Sequence, residues 1–78
     1  MAVKVYSTTW CSFCKMAKNF LKDRHIKFQE IDVQDNVKAA QEMIKRSGQT
    51  GVPVIDINGK IIVGFDRERI KKALKLKK

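Results

Sequence analysis

Residues 3–24 read Val3-Lys4-Val5-Tyr6-Ser7-Thr8-Thr9-Trp10-Cys11-Ser12-Phe13-Cys14-Lys15-Met16-Ala17-Lys18-Asn19-Phe20-Leu21-Lys22-Asp23-Arg24. Val3 to Tyr6 is β-branched and aromatic, which suits a strand. Ser7 to Trp10 breaks it with turn-prone residues. From Ser12 to Arg24 the period becomes helical. Ala17, Phe20, Leu21 and Arg24 recur at three- and four-residue spacing, and Lys15, Lys18 and Lys22 fall on the other side. Phe28-Gln29-Glu30-Ile31-Asp32-Val33 then alternates with period two, as a second strand does. Two strands joined by a helical crossover are parallel, and the connection is right-handed.

Downstream, Asp35 and Asn36 are good N-caps for a helix carrying Val37, Ala40, Met43 and Ile44, and Gly48 can stop it. Val52-Pro53-Val54-Ile55-Asp56-Ile57 reads as a third strand. Asn58-Gly59 is the strongest short hairpin signal, so Lys60-Ile61-Ile62-Val63 returns antiparallel. Gly64-Phe65 turns the chain, and Asp66 caps a last helix with Ile70, Ala73 and Leu74 inward. The order βαβαββα predicts an α/β fold: a four-stranded mixed sheet with helices on both faces. The first strand should be central, because Val3, Val5 and Tyr6 leave little polar content for an edge.

Composition sets the class. The 78 residues, 44% hydrophobic and 32% charged, suit a single globular domain spanning residues 1–78. No apolar run approaches the ~18 residues of a membrane span, and residues 1–6 lack a secretory signal's apolar stretch, so a soluble cytoplasmic monomer is expected. The net charge is +9. Residues 60–78 hold eight Lys or Arg against Asp66 and Glu68, which is +6 of it. Such a field attracts anionic partners. Residues 71–78 contain no interleaved aromatics, so an amphipathic last helix is favoured over nucleic-acid binding.

Cys11 and Cys14 are the two cysteines. Two are too few for a disulfide scaffold or, with one histidine, for a structural zinc site. No metal is expected. His25 belongs at the far end of the first helix, away from Cys11. The pair sits where a strand ends and a helix begins, and helix-start amides and the helix dipole favour an anion there. Thiols so placed titrate well below free cysteine. Cys11, coming first, should be the more exposed nucleophile, and Cys14, in the first turn, should attack a mixed disulfide formed on it. The alternative is a pair of inert buried cysteines. Met16 and Met43 are expected in packing, and Trp10 at the solvent edge. Pro53 opens a strand, where proline is often only structural. Beside Cys-x-x-Cys it has a second reading. A cis Val52–Pro53 bond costs only ~0.5–1 kcal/mol, and it would leave the Val52 backbone free to pair with an extended peptide.

Taken in order, Tyr6, Cys11 to Cys14, Glu42-Met43-Ile44, Thr50 to Pro53 and Gly64 to Asp66 resemble the glutaredoxin branch of the thioredoxin fold over nearly the whole chain. The resemblance implies a thioredoxin-like fold and a thiol–disulfide oxidoreductase with no bound cofactor and glutathione as cosubstrate. It implies Cys11 as nucleophile and Cys14 as resolving cysteine. It implies a glutathione groove formed by Phe13, Val52, Pro53, Gly64, Phe65 and Asp66, in which Val52 pairs with the ligand's cysteine and Asp66 with its ammonium. Glutathionylated and disulfide-containing proteins would be the partners.

Some positions depart from the family pattern. Thr8 stands where the family often has Lys, Ser12 where it has Pro, and Val63 where it has the first of two glycines. Trp10 resembles thioredoxins. Gly64-Phe65 resembles the redoxins that serve ribonucleotide reductase and are recharged by thioredoxin reductase, which is the alternative donor. Lys15, Lys18 and Lys45, with Gln49, are candidates by charge for glutathione's glycine carboxylate, or else simply solvated. A rival of another class is an iron–sulfur cluster carrier using Cys11 from two chains.

Overall fold

The computed structural model describes residues 2–75; Lys77 and Lys78 of the basic tail lie outside the described residues. The elements are β1 (Val3–Ser7), α1 (Ser12–Asp23), β2 (Gln29–Asp32), α2 (Val37–Ser47), β3 (Val54–Ile57), β4 (Lys60–Val63) and α3 (Arg67–Leu74). The sheet order is β2-β1-β3-β4. β1 runs parallel to β2, with Val5 opposite Glu30, and antiparallel to β3, with Val5 opposite Ile55. β3 and β4 form the expected hairpin, Ile55 opposite Ile62. β1 is central as expected, and β3, whose four residues are all buried, shares that place.

The period-two alternation divides the core into two layers. On one face Val3, Val5, Ile55, Ile57 and Ile62 pack against Ala17, Phe20 and Leu21 of α1 and Ile70 and Leu74 of α3. On the other, Tyr6 and Val54 pack against Met43 of α2, with Ile31, Val33, Val52 and Ile61 around them. Each such aliphatic side chain stabilises the fold by about 1.5–3 kcal/mol when fully buried. This is the thioredoxin-like mixed sheet with helices on both faces. No helix among the described residues is long and apolar enough to cross a membrane.

The caps match the sequence. Asn36 Oδ1 accepts the Ala39 N–H at 3.1 Å, and Asp66 Oδ1 accepts that of Arg69 at 3.1 Å. Gly48 ends α2 at φ 74°, a conformation that costs a glycine nothing. Two strands are shorter than the sequence suggests. β2 is an edge strand paired only with β1, and beyond its end only the Val33 N–H still reaches the Ser7 carbonyl, at 3.0 Å. β3 starts at Val54 because Pro53 has no N–H to give to a ladder. Met43 is buried, but Met16 is not in the core: it falls outside the Cys14–Ala17–Leu21 stripe and is 45% exposed.

Candidate active site

β1 ends deep in the molecule and delivers Thr8 to Trp10 to the start of α1, where Cys11 is the N-cap residue. Its backbone is extended, at φ −92° and ψ 113°. Cys11 Sγ accepts the Cys14 N–H at 3.1 Å. That is the bond a serine or aspartate cap makes, here made by sulfur. No acidic residue occupies the first turn of α1. The Cys11 sulfur is therefore the group that meets the positive end of this helix. Across the chain, the Cys11 thiol lies 3.8 Å from the Val52 carbonyl, next to a cis Val52–Pro53 bond. No disulfide joins Cys11 and Cys14.

Cys11 is 7% exposed and Cys14 fully buried. Their order is as expected, but the difference is small, because the cap position folds the Cys11 sulfur back over the helix start. Burial, and then the hydrogen bond with the Cys11 sulfur, push the Cys14 thiol up to about 11. The Thr8 backbone and the Lys18 ammonium act the other way. Lys18 is itself held by Glu30 at 2.8 Å. Tyr6, on β1 with its side chain toward α2, is also raised, first by burial and then by the Glu42 charge.

A neutral buried acid has a consequence for stability. The fold prefers the protonated Cys14 thiol, so this contribution is present below its ordinary 9.0 and is lost as pH rises toward about 11. Urea midpoints at pH 7 and pH 10.5 should show wild type losing more stability than Cys14→Ser, with a difference on the order of 2 kcal/mol when the loss is complete. Tyr6 titrates in both proteins and cancels. Equal alkaline losses would contradict the buried-thiol account.

Beside Val52 opens a groove of about 780 Å³, lined by Phe13, Val52, Pro53, Val63, Gly64, Phe65, Asp66, Arg67 and Glu68. All six residues expected at a glutathione groove therefore share one cavity. They come from the first turn of α1, the approach to β3 and the β4–α3 connection. Gly64 makes its turn at φ 82°, and its N–H donates to the Pro53 carbonyl at 2.8 Å. Trp10 and Phe13, 70% and 57% exposed, flank the site. The Asp66 carboxylate is partly engaged by its own helix, through the Arg69 N–H at 3.1 Å and Nε at 3.7 Å, but the side chain remains 46% exposed.

The sequence reading missed Arg67 and Glu68, which line the groove. Their place in the first turn after the Asp66 cap was the available signal. Lys15, Lys18, Lys45 and Gln49 do not line it. Lys18 is taken by Glu30, and Gln49 holds its own loop through Ser47 and the Gly51 backbone. Thr8 is buried with its hydroxyl unpartnered, so nothing at that position offers a cation to the groove. His25 is exposed just past the end of α1, at the helix end opposite Cys11. No group of three or more His, Cys, Asp or Glu is placed to hold a metal among the described residues.

Comparison with known proteins agrees with this geometry. Residues 3–62 match the Glutaredoxin family model. The chain is 46% identical over 72 residues to an uncharacterized glutaredoxin-like 8.6 kDa protein of the Clostridium pasteurianum rubredoxin operon, covering 92% of this chain and 96% of that one. It is 41% identical over 64 residues to Escherichia coli glutaredoxin 3, covering 82% and 77%. Among solved structures, the glutaredoxin-like NrdH-redoxin of Escherichia coli, described as having a thioredoxin-like activity profile, superposes with a TM-score of 0.79 at 26% identity, covering 92% and 93%.

Proposed function

The chain belongs to the glutaredoxin family of redox proteins, and on that premise we propose that it is a thiol–disulfide oxidoreductase that reduces glutathione mixed disulfides and protein disulfides at Cys11 and Cys14. The observation that carries the proposal is the Cys11 sulfur, held at a helix start and against the Val52 carbonyl, at the edge of a groove containing every expected ligand contact. In the first step the Cys11 thiolate attacks glutathione's own sulfur in the mixed disulfide, and the substrate's sulfur is the leaving group. The old S–S bond breaks, a Cys11–glutathione disulfide forms, and the released thiolate takes a proton. A second glutathione thiolate then attacks this disulfide, giving oxidised glutathione and free Cys11. With a protein disulfide, Cys14 attacks the mixed disulfide instead and leaves a Cys11–Cys14 bond, which two glutathiones reduce.

In the groove, the Val52 backbone would pair with the backbone of the bound cysteine, and Asp66 with the ammonium of the γ-glutamyl group. Phe13 and Phe65 would cover apolar parts of the ligand. A reducing compartment such as the cytoplasm suits a free thiol pair.

A second reading has its own support. Thr8 offers no cation, Val63 puts a half-exposed side chain on the groove wall, and a redoxin of thioredoxin-like activity is among the structural neighbours. Under this reading thioredoxin reductase recharges the Cys11–Cys14 disulfide. NADPH consumption during reduction of a small glutathione mixed disulfide separates the two donors. Turnover with glutathione and glutathione reductase, and none with thioredoxin reductase alone, is the expected result. The reverse pattern would transfer the protein to the second reading.

A further inference from the structure

Next to the groove beside Cys11 lies a second cavity of about 270 Å³ along α1, and the two share Phe65 and Arg67 in their walls. The floor of the second cavity is aromatic. Phe20 and Phe65 meet edge to face, with ring centroids 5.9 Å apart and planes at 72°. Each ring carries a guanidinium: Arg24 lies 3.7 Å above the Phe20 centroid and Arg67 5.8 Å above that of Phe65. Neither arginine is in a salt bridge among the described residues. Asp23 is the one carboxylate on this wall, against two guanidinium groups.

We propose that this second cavity is a specificity subsite for protein substrates, in which Arg24, helped by Arg67, receives the carboxylate of an aspartate or glutamate near the cysteine under attack. The proposal rests on the thiol–disulfide reading and extends it from the reacting sulfur to the choice of substrate. A guanidinium stacked on a ring has already lost much of its rotational freedom, and its planar fork matches a carboxylate. From Cys11, where the substrate's cysteine bonds, to Phe20, over whose ring the Arg24 guanidinium sits, is about 14 Å along the helix at ~1.5 Å per residue. An extended peptide covers that distance in about four residues at ~3.3 Å each. The recognised acid should therefore lie about four or five residues from the disulfide cysteine.

The test uses single-cysteine peptides, each joined to a copy of itself by a disulfide so that Cys11 attacks a peptide sulfur, that differ only by Glu or Lys at the fourth or fifth position on either side of the cysteine. At low salt, kcat/KM should favour the Glu peptide about threefold to fivefold on one side, the size of an exposed charge pair. Arg24→Gln should erase the preference and Arg24→Glu should reverse it. Both variants should reduce a small glutathione mixed disulfide as wild type does, because Arg24 does not line the first groove. Lys38→Glu changes net charge as Arg24→Glu does, but from an exposed site on α2, across the sheet. It should leave the preference in place. Equal rates on Glu and Lys peptides with wild type would overturn the proposal. So would a Lys38→Glu effect as large as that of Arg24→Glu, since a long-range field would then explain the preference. Absence of wild-type activity on the small substrate would instead strike the thiol–disulfide reading.

Discussion

Cys11→Ser should lower turnover on every disulfide substrate by at least about a thousandfold, because a hydroxyl at neutral pH does not replace the thiolate as nucleophile. The fold should survive. Serine is a good N-cap, and its oxygen can accept the Cys14 N–H that Cys11 Sγ now accepts. Stability should therefore stay within about 1 kcal/mol of wild type, since the capping bond is retained. Cys14→Ser should give a different result. Reduction of glutathione mixed disulfides should continue, since glutathione itself resolves the intermediate, while protein disulfide reduction should stall at a mixed disulfide on Cys11 that mass spectrometry can detect.

The pH dependence of wild type follows from Cys14. Its thiol sits near 11 in the reduced protein, so its thiolate fraction rises about tenfold per pH unit below that. Part of the elevation comes from the Cys11 sulfur and disappears once Cys11 is in a mixed disulfide; the burial remains. Intramolecular resolution should accordingly speed up from pH 6 to pH 8. A Cys11→Ser protein that still turns over would end the proposed mechanism, whatever Cys14 does.

The second large effect is on stability. Arg46→Met should lower the stability of the domain by about 2–3 kcal/mol, and its melting temperature by some 10–20 °C. Asp56 is 5% exposed on the face of β3 turned to α2. Its Oδ2 accepts from Arg46 Nη1 at 2.9 Å, and its Oδ1 from the Gly59 N–H at 2.8 Å. Arg46 also meets Glu42 at 3.2 Å. These bonds tie α2 to the hairpin turn. Removing Arg46 leaves a buried carboxylate with a single neutral donor. Breaking a buried pair costs ~3–5 kcal/mol, and the expected loss is smaller because the Arg46 side chain is 40% exposed. For a domain of this size, whose whole stability is on the order of 5–10 kcal/mol, that is a large share. Adding Asp56→Asn to Arg46→Met should recover part of the loss. An unchanged melting temperature for Arg46→Met would show that the pair contributes nothing net.

Much of this structure is legible in local patterns. Asn58-Gly59 specifies the β3–β4 hairpin, Asn36 and Gly48 bound α2, Asp66 starts α3, and alternation in Val3 to Tyr6 assigns two core layers. The cysteine pair is legible for a similar reason. Cys11 and Cys14 stand at N-cap and third-residue spacing, so the bond between the Cys14 amide and the Cys11 sulfur closes within one helical turn. The resemblance to glutaredoxins named the six groove residues, and the sheet brings them together.

Other features had no local signal. Asp56 reads as one polar residue of an alternating strand, and only the packing of α2 shows that it meets Arg46. Lys18 reads as a free surface charge until β2 brings Glu30 to it. Met16 sits one position off the buried stripe of α1, and a single sequence does not show whether that edge of the helix is covered. The Arg24–Phe20–Phe65–Arg67 floor joins residues more than forty positions apart.

By itself, then, the sequence determined the elements, their order, their caps and the spacing of the two cysteines at a helix start, because each depends on residues within one turn or one hairpin of one another. The tertiary structure alone decided how far Cys11 is exposed, which charges are already paired, and that a second cavity lies on the other side of Phe65. Those follow from sheet register and helix docking, which bring distant side chains to within a few ångströms and cannot be read from any one segment.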